Sequence, residues 1–223
     1  MRLKGANHDS QDTSRSSQRQ THGHDQYNAR LASVLHIEAI TFKQLWDNYV
    51  TGDPCDDPDG EYKNQCAIRM SATFHRVGIA MKSFSKKVVK PMPGKKTIGR
   101  ILLDGKPTAT RASELAEWLK LVPFCGLPGQ PEDITGPDWE RKIKGRTGII
   151  FFGEYWTRPG EVAGNASGGH IDLWSGSRLT ISGFFDSFAT IGRFFGAQSL
   201  IPGTDFGWSD LRKSKQILFW EVK

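Results

Sequence analysis

The chain has 223 residues, 24 glycines, 11 prolines and a formal net charge of +6; it is 37% hydrophobic and 24% charged. That is enough apolar material for one good core, length permits a second domain at most, and the turn formers exclude a long helical array. The basic balance favours an anionic partner without choosing among nucleic acid, anionic membrane and acidic wall polymer.

No apolar run is long enough to span a bilayer, and the opening MRLKGANHDS lacks the apolar core of a signal peptide. The sequence therefore predicts a protein made in the cytoplasm, with no membrane insertion and no standard export signal. Three cysteines, Cys55, Cys66 and Cys125, are too few for a disulfide scaffold, and their spacing fits no zinc motif.

Residues 1–32 are polar and rich in Ser, Gln, Asp, His and Arg. They read as a disordered extension, followed by a single domain over 33–223. His8, His22 and His24 in this stretch are too irregularly spaced to predict a metal site. From Thr41 to Val50 the apolar residues Phe42, Leu45, Trp46, Tyr49 and Val50 form a helical stripe, opened by a Thr41/Gln44 capping box. Gly52 ends it. The loop DPCDDPDGEYK at 53–63 is acidic, but it lacks the ligand spacing of a calcium-binding loop.

Asn64 is a good cap for a core helix ending near Gly78, with Ala67, Met70, Phe74, Val77 and Ala80 on its apolar face and Ile68 and Ala72 flanking. Residues 82–107 read as a basic loop with one short strand at Arg100–Leu103. The clusters Lys86-Lys87, Lys95-Lys96 and 212–215 are short and read as solvated faces. A second helix is predicted at Ser113–Leu121, then a Pro/Gly-rich stretch over 123–147. Strands follow at Thr147–Gly153, His170–Trp174, Arg178 to about Phe184 and Lys215–Val222, with a short helical stretch at Trp208–Lys213. Helices first and strands later predict an α+β fold, helices packed on a mostly antiparallel sheet.

Two residues suggest chemistry. Cys66 falls near the second position of its helix, where free backbone N–H groups and the helix dipole favour a thiolate and can hold an oxyanion. A buried apolar thiol is the plainer reading of Cys66 alone. His170 shares a strand face with Asp172 and Trp174, while Ile171 and Leu173 face the core. That mixed face suits a cleft wall, and Gly168-Gly169 leaves the backbone bare before the imidazole. A cysteine at a helix start with a histidine on a later strand is the order of papain-like cysteine hydrolases.

The blocks NQCAIRMS (64–71), GRTGIIFFGEYW (145–156), GGHIDLWSGSRL (168–179) and ILFWEV (217–222) together resemble the fourth family of type VI secretion amidase effectors, compact relatives of the NlpC/P60 peptidoglycan hydrolases. The resemblance implies a papain-like NlpC/P60 fold and a toxin injected into rival bacteria. That toxin would act in the periplasm, cleaving the γ-D-glutamyl to meso-diaminopimelate amide of wall peptide stems and blocked by a cognate immunity protein. It implies Cys66 as nucleophile and His170 as general base, with no metal or organic cofactor. The third member stays open. Thr180, Ile181 and Ser182, expected opposite His170 on the return strand, include no carboxylate. Asp172 is the expected orienting group, with Ser182 or a backbone carbonyl as alternatives. In an oxidising periplasm Cys55 and Cys125 are a conceivable disulfide, although two free thiols are the favoured reading.

Two readings of other classes stand beside the enzyme. One is a non-catalytic wall-binding or interaction module with the same fold. The other is a basic nucleic-acid-binding domain, which needs no Cys66; the resemblance points away from nucleic acid. A monomer is expected when the chain is free.

Overall fold

Local sequence signals set the first helices of the computed structural model, which describes residues 38–62, 64–156, 168–180 and 211–223. The predicted N-terminal extension lies outside these residues. Helix α1 spans Phe42–Asp47, and its Thr41/Gln44 capping box forms in both directions. Helix α2 spans Cys66–Arg76. Its apolar residues Ala67, Ile68, Met70 and Phe74 are all buried. Its capping departs from expectation. Gln65 occupies the cap position without a side-chain capping bond, and Asn64 Oδ1 instead accepts a long 3.4 Å contact from the Cys66 N–H. Cys66 is therefore the first helical residue rather than the second. Gly78, at φ +89°, follows the end of the helix.

Strand β1, Arg100–Leu103, lies where predicted, but it has a partner the sequence reading missed. Strand β2, Lys106–Ala109, pairs with it antiparallel. Asp104 and Gly105 make the turn, at φ +50° and +74°. Positive φ at both positions is what a two-residue hairpin turn needs, and Asp-Gly is a strong signal for it. Helix α3 follows at Ala112–Leu119. The Pro/Gly-rich stretch over 123–147 contains a two-residue strand, β3 at Glu132–Asp133, and one helical turn, α4 at Trp139–Lys142. Neither is long enough to show a period.

The remaining strands are β4 (Thr147–Trp156), β5 (Gly168–Ser175) and β6 (Gln216–Glu221). They form an antiparallel sheet in the order β3-β6-β4-β5. The fold is α+β, as the element order predicted. Strand β4 is central and buried on both faces, which explains its unbroken apolar run Ile149–Phe152. One face, with Ile149, Phe151, Ile171, Leu173, Leu218 and Trp220, packs against α2 and α3. The other carries Ile150, Phe152, Trp174, Ile217 and Phe219, covered by Trp139, Ile143, Leu179 and Leu211.

That second cluster corrects one expectation. The His170, Asp172 and Trp174 face of β5 is not an open cleft wall: Trp174 and Asp172 are buried, and the Trp174 ring meets Trp139 edge-on. The return strand begins as expected, with Leu179 bridged to Trp174 and the Thr180 N–H donating to the Leu173 carbonyl. This register sets Thr180 opposite Leu173 rather than His170. The predicted return beyond Thr180, including Ile181 and Ser182, lies outside the described residues. So does Trp208–Asp210 of the short helical stretch, whose end is a 3-10 turn at Leu211–Lys213.

Candidate active site

Cys66 is delivered by the first turn of α2 and His170 by β5, which pairs with the central strand β4. Packing of α2 against β5 brings them together. The Cys66 thiol is buried, with its Sγ 4.0 Å from the Gly169 carbonyl oxygen. Burial pushes its pKa up, but His170, the Ile171 backbone and the charge of Arg69 outweigh that and leave it below the ordinary thiol value. Arg69 sits one turn along the helix, where its guanidinium holds the Gly52 carbonyl at 2.7 Å and Asp53 at 3.3 Å.

His170 responds in the opposite direction. Burial alone would lower its pKa, yet Asp172 and Cys66 hold it up to about 9. Both shifts run toward thiolate and imidazolium, the reactive state of a nucleophilic cysteine. The His170 Nε2 lies 3.3 Å from Asp172 Oδ2. Asp172 is fixed in turn by the Leu173 N–H, which donates to its Oδ1 at 2.9 Å. With Nε2 turned to Asp172, Nδ1 is the ring nitrogen left to serve Cys66. The structure thus gathers all three residues singled out in the sequence.

Tyr49 was not foreseen as part of this group; the sequence showed it only as one member of an apolar stripe. Its phenol lies against Asp172 and Thr180. Burial first, and the Asp172 charge second, push its pKa well above the ordinary phenol value, so it stays protonated. No local signal announces this contact, because it joins the end of α1 to β5 through tertiary packing.

Gly169 also works differently from expectation. A Cβ there would sit 3.1 Å from the Phe152 carbonyl oxygen and 3.2 Å from the Phe151 ring, so the bare backbone permits close packing. Gly169 nevertheless borders open space: a cleft of about 710 Å³ runs past it toward Met92 and Glu117, although Cys66 and His170 do not line that cleft.

The loop before α2 is tied to the nucleophile's own element. Gln65, buried immediately before Cys66, accepts from the Cys55 N–H at 2.9 Å and donates to the Cys55 carbonyl at 2.8 Å. Cys55, Cys66 and Cys125 are all free thiols. Among the described residues, no group of three or more His, Cys, Asp or Glu side chains is placed to hold a metal ion, and no helix is long and apolar enough to cross a membrane.

Residues 62–220 match the family described as type VI secretion system (T6SS) amidase effector protein 4, or Tae4. The chain belongs to the Tae4 family. The match takes in Cys66, His170 and Asp172 together with most of the sheet. Among solved structures, the chain is similar to the Tae4 effector of Enterobacter cloacae at 18% identity and a TM-score of 0.48, covering 83% of this chain and 98% of that one. It is also similar to the Tae4 effector of Salmonella typhimurium, solved in complex with the immunity protein Tai4 from Enterobacter cloacae. There the identity is 17% and the TM-score 0.46, with 82% of this chain and 98% of that one covered. No curated protein matches the chain. As a Tae4-family amidase effector the chain is a hydrolase and an antibacterial toxin.

Proposed function

We propose that this Tae4-family chain is a cysteine amidase of peptidoglycan that cuts the γ-D-glutamyl to meso-diaminopimelate amide in the wall peptides of rival bacteria. The observation that carries the reading is the mutual shift of the site: Cys66 lowered, His170 raised to about 9, and Asp172 on the far ring nitrogen. The Cys66 thiolate attacks the amide carbonyl carbon, forming a C–S bond and an oxyanion. The backbone N–H of Cys66, engaged by a long 3.4 Å contact to Asn64, is a donor for that oxyanion. The His170 imidazolium gives its proton to the departing diaminopimelate amine as the C–N bond breaks. It then takes a proton from water, which attacks the thioester and frees the γ-carboxylate and the Cys66 thiolate.

A cognate immunity protein belongs to the same reading, since a Tae4 effector has been solved in complex with one, and so does periplasmic action, since the wall peptides lie there. The test is to incubate the protein and Cys66→Ala with purified Gram-negative muropeptides and identify the products by mass. Products cut between D-Glu and diaminopimelate with the wild type alone support the proposal. Intact muropeptides with both proteins defeat it.

A further inference from the structure

Residues 82–106 hold eight cations, Lys82, Lys86, Lys87, Lys90, Lys95, Lys96, Arg100 and Lys106, against one carboxylate, Asp104. This one segment exceeds the formal net charge of the entire chain, +6. All eight cations are exposed. Among the described residues, none of them forms an ion pair. Elsewhere surface cations do find partners, as in Lys43 with Asp47, Lys120 with Glu117, Arg141 with Asp138 and Lys215 with Glu154. An ordinary solvated face intersperses its signs, because like charges within a Debye length, about 8 Å at physiological salt, repel one another. Lys86-Lys87 and Lys95-Lys96, read as solvated faces in the sequence, therefore take on another meaning as parts of one exposed cationic segment.

The segment is also held in place. Met81, Phe84, Val89 and Met92 are buried while the lysines between them point outward. Trp118 of α3 donates to Ser83 at 3.0 Å. The buried Glu114 carboxylate accepts from the Met92 N–H at 2.9 Å and from the Gly99 N–H at 2.5 Å. Cations on a fixed backbone lose little freedom when they meet a polyanion. The segment also borders the cleft beside the site: Lys90 to Pro93 line the 710 Å³ cleft that borders Gly169, whose carbonyl oxygen is 4.0 Å from Cys66 Sγ.

We infer that residues 82–106 are a docking surface for a carboxylate-bearing glycopeptide polymer, the wall itself, held by charge so that a peptide stem is fed along the cleft toward Cys66. This rests on the proposed wall substrate. Continuity with the cleft favours the wall over an anionic bilayer or a nucleic acid, neither of which has reason to lie beside the nucleophile. The two exposed apolar side chains in the segment, Val88 and Leu102, are single residues of an ordinary surface.

The test is cosedimentation of the full chain, carrying Cys66→Ala so that nothing is digested, with purified Gram-negative sacculi. Two charge-matched variants are compared. One is Lys86→Gln, Lys87→Gln, Lys95→Gln and Lys96→Gln together. The other is Lys43→Gln, Arg141→Gln, Lys144→Gln and Lys223→Gln, all outside the segment. The first set is expected to weaken retention about tenfold or more and the control set about twofold or less, with binding falling as salt rises. Sacculi whose carboxylates have been amidated should lose the chain that carries Cys66→Ala alone, a result that does not depend on the folding of either charge variant. Equal retention of both sets, full retention on amidated sacculi, or tighter binding to phosphatidylglycerol vesicles or duplex DNA than to sacculi overturns the inference. A chain that holds sacculi but cuts no muropeptide defeats the proposed reaction and leaves the surface standing. One that cuts muropeptides while both sets bind equally does the reverse.

Discussion

His170 Nε2 and Asp172 Oδ2 face each other at 3.3 Å from positions two apart on one strand, so the imidazole is oriented by its own element. A carboxylate in that place does two things: it fixes which ring nitrogen faces the thiol, and it stabilises the imidazolium. Asp172→Asn retains the shape but loses the charge. The expected result is a fall in kcat of about a hundredfold or more with KM little changed. The His170 pKa, followed by NMR, should drop from about 9, because the Asp172 hydrogen bond is the largest single contribution holding it up. An unchanged kcat would move the orienting role to a group beyond Thr180.

The opposed shifts of Cys66 and His170 set a pH window. The reactive pair needs Cys66 deprotonated and His170 protonated. Amide cleavage should therefore rise with pH as Cys66 ionises, below the ordinary thiol value, and fall as His170 loses its proton near about 9. The sign for stability follows from the same shift. The folded His170 pKa is raised above the ~6.5 of a free imidazole, so its stabilisation is complete below ~6.5 and disappears as pH rises through about 9. Urea unfolding on the two sides of that window should show the wild type losing more stability with rising pH than His170→Gln. Parallel losses would separate the imidazolium from the fold.

Tyr49 lies against the carboxylate that orients His170, and its raised pKa keeps it a donor. Tyr49→Phe removes the hydroxyl and leaves the ring. Asp172 then has one restraint fewer, and kcat should fall by about tenfold or less while KM holds, with a stability change of about 1 kcal/mol. A drop in stability with kcat unchanged would make Tyr49 structural only.

These contacts mark where the sequence was readable. The stripe Phe42, Leu45, Trp46 and its capping box are local, and they appear where the spacing set them. The apolar run Ile149–Phe152 is visible in the sequence, and the double-sided packing of β4 explains why it lacks alternation. The Asp104-Gly105 turn was present in the sequence but hidden by the basic, proline-interrupted segment around it. Cys66 and His170 were legible through their order and the family blocks. Tyr49 beside Asp172, Gln65 on Cys55 and the register of Thr180 were not, because each depends on where distant elements pack.

Glu114 offers the sharpest test of the packing that supports the site. Its carboxylate is 1% exposed and accepts from the Met92 and Gly99 N–H groups and from Arg111 at 2.9 Å. Glu114→Ala leaves two backbone donors without their acceptor and leaves Arg111 with the Thr97 carbonyl at 2.8 Å. Breaking a buried, hydrogen-bonded pair in this way costs about 3–5 kcal/mol. Glu114→Gln keeps the shape and some acceptor capacity, so it should cost less. Thermal or urea unfolding should rank the chains wild type, Glu114→Gln, Glu114→Ala in falling stability. Hydrogen exchange at Met92 and Gly99 should quicken first in the alanine variant, since those two amides lose their acceptor. Equal stability of all three would mean that α3 holds the 82–99 segment through Trp118 and the buried apolar anchors alone.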